Sequence, residues 1–136
     1  MQQRDYVDIE DVVSASLLAL DSEVMNFHYY NVGTGKPTTV LEYAQKLARQ
    51  MGVDLEPENP GAYRVGGVRH TVSSIDKLNQ LGWTPTRNLD EIFTHYLGWL
   101  ATLPDTEDYF TPAYETMRQE GVSSAPEITP PLAANY

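Results

Sequence analysis

Tyr30-Asn31-Val32-Gly33-Thr34-Gly35-Lys36-Pro37-Thr38-Thr39-Val40-Leu41-Glu42 is the stretch on which the fold turns. The aromatic, β-prone run from Phe27 to Val32 reads as a strand, and the glycines at 33 and 35 give the backbone the freedom for a turn behind it. Thr39 and Glu42 then match a capping box, in which each side chain satisfies the other's exposed amide. Val40, Tyr43, Ala44, Leu47 and Met51 follow at i, i+3, i+4, i+7 and i+11, one face of an amphipathic helix, and Gly52 is placed to close it in a left-handed conformation. The local order is strand, glycine turn, helix.

Upstream, Arg4 to Ile9 alternates charged and apolar residues, the period of a short strand. Asp8 is placed to cap a helix, and Asp11 adds negative charge near its positive end. The helix that follows, through Val12, Val13, Ala15, Leu17, Leu18, Ala19 and Leu20, is apolar nearly all round and is expected to be sandwiched. Downstream, Val53 to Pro57 reads as a short strand, residues 59–67 as irregular, and Arg69 to Ser73 as extended. Ser74 is expected to cap a short helix with Ile75, Leu78 and Leu81 inward, ended by Gly82. Asn88 opens another, with Ile92, Tyr96, Trp99 and Leu103 on one face and Phe93 and Leu100 beside it, stopped by Pro104.

The alternation predicts an α/β fold with some parallel pairing over residues 1–104. Residues 105–136 hold six acids, one Arg and four prolines. They read as an acidic, proline-containing tail with a short helix from Pro112 to about Glu120 and disorder over 121–136. Two or three short strands make a poor sheet. The all-round apolar helix therefore implies a piece that completes a larger structure, and that alone exposes apolar surface or associates with itself.

The chain has 136 residues, enough for one compact domain and hardly two. Nine basic residues against nineteen acidic ones give a net charge of −10 and a pI near 4.5. That balance argues against nucleic acid and against anionic membranes as partners. The absence of cysteine excludes disulfides, thiolate metal sites and Cys nucleophiles. His28, His70 and His95 share no ligand spacing, so no metal site is predicted. No segment approaches the roughly 20 apolar residues of a membrane span. The polar start, which enters a structured motif without a leader, is unlike a signal peptide, and a cytoplasmic location is expected.

Gly33-Thr34-Gly35 before a helix invites a phosphate-loop reading, but it lacks the third glycine of a dinucleotide fingerprint and the Gly-Lys-Ser/Thr of a triphosphate loop. A turn that needs backbone freedom is the competing account. Arg4, Arg64 and Arg69 stand out as three of few cations in an acidic chain. A guanidinium forks onto phosphate oxygens, so they suit a diphosphate, with surface ion pairing (for Arg4, to Asp5 or Asp8) as the alternative. Asp5, Asp8, Asp11 and Asp76 are mostly accounted for by helix capping, and no serine or histidine stands in a catalytic setting. The residues describe an anion-binding lobe with no catalytic residue of its own.

Six blocks in order, Arg4-Asp5-Tyr6-Val7, Asp11-Val12, Tyr30 to Gly35, Arg64-Val65-Gly66-Gly67-Val68-Arg69, Lys77-Leu78 and Leu81-Gly82-Trp83-Thr84-Pro85, resemble the C-terminal third of sugar-nucleotide epimerases and dehydratases. These belong to the extended short-chain dehydrogenase/reductase superfamily, and the resemblance covers residues 4–103. It implies the substrate-binding part of an incomplete Rossmann-type fold, with Arg4 and Arg64 at the nucleotide diphosphate and Arg69 and Tyr6 near the same pocket. The partner it implies is a nucleotide-diphosphate sugar, and NAD serves the complete enzyme with none bound to this chain alone. Gly66-Gly67 departs from the family's usual Gly-Asp, Asp8 stands where His is frequent, and Ser74-Ile75-Asp76-Lys77 replaces its Asp-x-Ser-Lys. Neither the family's glycine fingerprint nor its Tyr-x-x-x-Lys pair occurs here; the nearest approaches are Tyr43-x-x-Lys46 and Tyr114-x-x-x-Arg118. The expected complement is the missing Rossmann half or a second copy of the chain. The alternative is a non-catalytic module that binds a nucleotide sugar or a partner protein.

Overall fold

Short strands alternate with helices in a computed structural model that describes residues 1–58, 61, 63–104 and 109–124. The elements are β1 Gln3–Arg4, α1 Ile9–Asp21, a single 3-10 turn Glu23–Met25, β2 Thr38–Thr39, α2 Val40–Gln50, β3 Tyr63–Arg64, β4 His70–Thr71, α3 Asp76–Gln80, α4 Leu89–Leu100, α5 Phe110–Gln119 and β5 Ser123–Ser124. They fall into two units, one of Met1–Glu56 with Arg69–Thr102 and one drawn from Pro57–Val68 with Leu103–Tyr136.

In the first unit a three-stranded sheet runs β2-β1-β4. β1 pairs antiparallel with β2, Gln3 opposite Thr39, and parallel with β4, Gln3 opposite His70. The predicted α/β class with parallel pairing is thus present, in a very small sheet. The core beside it joins Ala15, Met25, Leu78 and Trp83, with Leu18, Tyr30, Val32 and Leu81 packed against them. Trp83 fills it with its ring and donates its indole N–H to Ser14 Oγ at 2.8 Å, so the one polar atom of the ring is satisfied. A second buried centre is Phe93, which meets the Tyr43 ring edge-on at 4.8 Å, while Tyr6 stacks on Tyr43 at 4.2 Å.

The caps are largely where the sequence places them. Asp8 Oδ1 accepts from the Glu10 amide at 2.8 Å, and the Thr39–Glu42 box is complete, Glu42 Oε2 accepting from the Thr39 amide at 2.8 Å. Asn88 forms a second box with Glu91. Gly52 and Gly82 end α2 and α3 at φ +70° and +82°.

Several expectations need correction. The β1 strand is two residues long, because the chain leaves the sheet at Asp5, whose side chain turns to the 33–35 loop. Phe27–Val32 forms no strand: Phe27 sits at φ 62°, fully exposed, and a strand without a hydrogen-bonded neighbour is not a strand. The in-out alternation is nevertheless real, since Tyr30 and Val32 pack on the core and Asn31 is exposed. Val53–Pro57 is likewise unpaired. α3 starts after Ile75 rather than after Ser74, whose hydroxyl donates to Asp76 Oδ2 instead of capping the backbone. On α4 the buried residue is Phe93, while Tyr96 and Trp99 are exposed; the helix ends at Leu100, so Leu103, also exposed, is not part of it.

The second unit pairs β3 with β5, antiparallel, Tyr63 opposite Ser124 and Arg64 opposite Ser123. The expected irregular segment 59–67 therefore contains a strand at Tyr63–Arg64; residues 59, 60 and 62 lie outside the described residues. α5 begins two residues before Pro112, which sits in its first turn where the missing N–H costs nothing. The disorder expected over 121–136 falls outside the described residues from 125 onward, and Ser123–Ser124 is β5.

Candidate functional site

Two of the three candidate arginines, Arg4 and Arg69, lie in the first unit and meet at its sheet. Arg4 ends β1 and Arg69 precedes β4, so the parallel pairing of these strands brings their backbones alongside. Arg4 is half-buried, and its guanidinium donates to the Arg69 carbonyl at 3.0 Å and the Gln3 carbonyl at 2.7 Å. Arg69 and His70 are exposed beside it. Arg64 belongs to the second unit, on the exposed strand β3, and donates to Met117 Sδ at 3.2 Å. Tyr6 is half-buried in the stack on Tyr43, and burial pushes its hydroxyl pKa upward, so it stays a neutral phenol.

The Gly33-Thr34-Gly35 turn already has its anion. Asp5 accepts from the Thr34 hydroxyl, from the amides of Thr34 at 2.9 Å and Gly35 at 3.1 Å, and from the Ser73 amide at 3.2 Å. Burial by itself raises the Asp5 pKa, but these hydrogen bonds, the Thr34 hydroxyl foremost, outweigh it and hold the carboxyl below its ordinary 3.8. Gly33 is buried against this node, where a Cβ would stand 2.7 Å from Ser73 Cβ. The glycine is required by close approach, and the turn's amides are spent on a side chain. A dinucleotide's phosphates do not fit a cradle that holds a carboxylate, so no step through NAD is assigned to these residues.

Asp11 does a similar job where the sequence suggested only a dipole contact. It is buried inside α1 and accepts from the Thr86 amide at 2.9 Å, the Thr86 hydroxyl at 2.8 Å and the Arg87 amide at 3.2 Å. Burial raises its pKa, and the bonds from Thr86 and Arg87 more than compensate, leaving it below 3.8. Asp5 and Asp11 are therefore brackets that tie distant loops to the N-terminal segment. Nothing in their spacing announced this, because the donors come from residues 29 to 76 positions away.

One cluster escaped the spacing argument because its members come from different elements. Asp8, Glu10 and His95 bring ligand-type atoms within 4.8 Å of one another. Asp8 is buried, with Oδ2 at 3.5 Å from His95 Nδ1, while Glu10 Oε2 holds the Arg87 guanidinium at 2.7 Å. The guanidinium already occupies the position a cation would take at Glu10. A shallow depression elsewhere is lined by Lys46, Arg49, Gln50 and Asp90, and its lysine is bound to Asp90 at 3.0 Å. Among the described residues no helix is long and apolar enough to cross a membrane.

A small mixed sheet, helices on short strand-turn connections and a glycine turn clamped by an aspartate define an α/β unit that is part of a larger fold class. The chain is a partial domain of the nucleotide-sugar epimerase type, within the short-chain dehydrogenase/reductase superfamily. It is 33% identical over 99 residues to a dTDP-L-rhamnose 4-epimerase of Burkholderia thailandensis, covering 72% of this chain and 27% of that protein. It is 40% identical over 107 residues to a probable UDP-arabinose 4-epimerase of Arabidopsis thaliana, covering 74% and 25%. Among solved structures, the UDP-glucose 4-epimerase of Thermotoga maritima with UDP-glucose superimposes with a TM-score of 0.60 at 33% identity, over 73% of this chain and 33% of that one. The chain thus spans a quarter to a third of the length of these relatives. No protein-family model matches it.

Proposed function

We propose that this chain is the substrate-holding part of an NAD-dependent nucleotide-sugar epimerase or dehydratase, epimerase being preferred. The reading rests on one observation: nearly three quarters of the chain aligns with proteins named as sugar-nucleotide 4-epimerases, one of them solved with UDP-glucose. In this reading Arg4 and Arg64 supply guanidinium forks to the diphosphate, and Arg69 and Tyr6 contribute to substrate binding. Diphosphate binding far from the reacting carbon contributes by fixing the sugar's position. NAD and the Tyr-x-x-x-Lys chemistry belong to a Rossmann half that this sequence does not contain, and a cytoplasmic location is part of the proposal.

The test is titration of the full chain with UDP and dTDP, followed by NMR or thermal shift. Arg4→Ala and Arg64→Ala each weaken binding about tenfold or more, on the order of 1.4 kcal/mol or above. Arg87→Ala, which removes a cation already paired with Glu10, leaves binding unchanged. Equal losses in all three variants would mean that net charge, not a diphosphate anchor, drives binding. Turnover of a UDP-sugar by the purified chain with added NAD would contradict the assignment of the redox half to other sequence.

A further inference from the structure

Arg64 is held by a part of the chain that the family resemblance does not reach. The resemblance ends at residue 103, whereas α5 (Phe110–Gln119) and β5 (Ser123–Ser124) lie beyond it. β5 pairs antiparallel with β3 and sets Ser123 opposite Arg64. The Val65 amide carries the contact on by donating to the Val122 carbonyl at 2.9 Å. Arg64 also opens a tight turn, closed by the Gly67 amide on the Arg64 carbonyl at 3.0 Å, with Gly66 at φ 76° as such a turn requires. The backbone that carries this arginine is thus fixed by the turn and by β5 together.

Met117 joins that backbone to helix α5. Gly121, at φ 68°, ends α5 in a left-handed reversal: its amide donates to the Arg118 carbonyl at 3.1 Å, and the Val122 amide donates to the Met117 carbonyl at 3.0 Å. Met117 is therefore tied through its carbonyl to Val122, whose own carbonyl holds Val65. Its Sδ, on a half-buried side chain, accepts from the exposed Arg64 guanidinium at 3.2 Å. The acceptor is a thioether although carboxylates are near in sequence. α5 carries Glu115 and is capped at Glu120, yet among the described residues Arg64 enters no ion pair. A carboxylate in the same place would neutralise the guanidinium, and a phosphate would have to displace it. A thioether is a weak, uncharged acceptor that directs one N–H and leaves the charge and the remaining donors available. The flexible methionine stem also withdraws without strain.

We infer that α5 and β5 form a strap that presents Arg64 to a diphosphate, with Met117 as the positioning residue for its guanidinium, an assignment that rests on the substrate reading and names the element that tunes it. The test is a double-mutant cycle in the full chain, with UDP as the probe and titration calorimetry as the readout. Arg64→Ala weakens UDP binding about tenfold. Met117→Leu, which keeps the volume and loses the acceptor, weakens it several-fold, and Met117→Glu weakens it about tenfold because the carboxylate captures the guanidinium. Gly121→Val, strained at its positive φ, releases β5 and gives a several-fold loss. With alanine at 64 none of these substitutions weakens binding further. The methyl resonance of Met117 moves in Arg64→Ala and when UDP is added to the parent, and circular dichroism stays that of the parent in Met117→Leu. If Arg64→Ala binds UDP as the parent does, the diphosphate reading itself fails and the strap with it. If Arg64→Ala weakens binding while Met117→Leu and Met117→Glu do not, or if their losses persist with alanine at 64, the diphosphate reading stands and the strap is refuted.

Discussion

Replacing Asp11 by alanine removes the acceptor that three donors share inside the protein. The Thr86 amide, the Thr86 hydroxyl and the Arg87 amide all end on this one buried carboxylate. A hydrogen bond to a charged acceptor contributes about 1.5–3 kcal/mol net, and buried donors left without an acceptor cost about 1–3 kcal/mol each. These terms are not additive, because the 84–88 loop relaxes toward water once released, so Asp11→Ala is expected to cost about 3–5 kcal/mol. Against a total stability of roughly 5–15 kcal/mol that is a large fraction. Asp11→Asn keeps one acceptor oxygen but turns an NH2 toward a donor, and should cost about 2 kcal/mol. Urea unfolding followed by fluorescence reads this directly, since Trp83 is buried next to the same helix. With an m value of about 1.5 kcal/mol/M, the alanine variant's midpoint falls by about 2–3 M. The pH dependence gives a second reading. The folded-state pKa of Asp11 lies below its ordinary 3.8, so its contribution is fully present above that value and is lost as pH falls through the folded pKa. Below about pH 4 the parent should lose stability more steeply than Asp11→Ala. A midpoint within about 0.5 M of the parent, or parallel acid profiles, would refute the bracket assigned to this carboxylate.

Gly33→Ala should destabilise by about 1–3 kcal/mol, because its Cβ has no room between Asp5 and Ser73; an unchanged melting temperature would show that this turn is loosely packed. Thr39→Ala removes one half of the capping box at α2 and should cost about 1 kcal/mol, with a fall in helical ellipticity as the readout. Asp5→Asn should flatten the acid limb of the stability curve as Asp11→Ala does, because the Asp5 pKa is also depressed in the folded state. A steeper acid limb in that variant would reverse the sign and discount the Thr34, Gly35 and Ser73 bonds.

Local chemistry made much of this protein legible in one dimension. Asp8, Thr39 and Asn88 are caps because short polar side chains reach amides two or three residues away, and Gly52 and Gly82 end helices because a left-handed residue must. The ordered blocks from Arg4 to Pro85 pointed to the epimerase superfamily, and the sequence and structural relatives agree. The apolarity of α1 nearly all round suggested a sandwiched helix, whereas the structure sets Ala15 and Leu18 against the core and leaves Ile9, Val13, Leu17 and Leu20 exposed. What required the tertiary structure is every interaction that spans the chain. Asp5 and Asp11 look like dipole or capping residues in sequence, and only folding brings residues 34, 73, 86 and 87 to them. The aromatic run 27–32 has the composition of a strand, yet a strand exists only where a neighbour supplies the ladder, and composition carries no information about neighbours. The pairing of Asp8 with His95, and of Tyr63–Arg64 with Ser123–Ser124, was hidden for the same reason. Propensity acts over a few residues, whereas hydrogen-bond satisfaction is settled by whatever the folded backbone brings within about 3 Å.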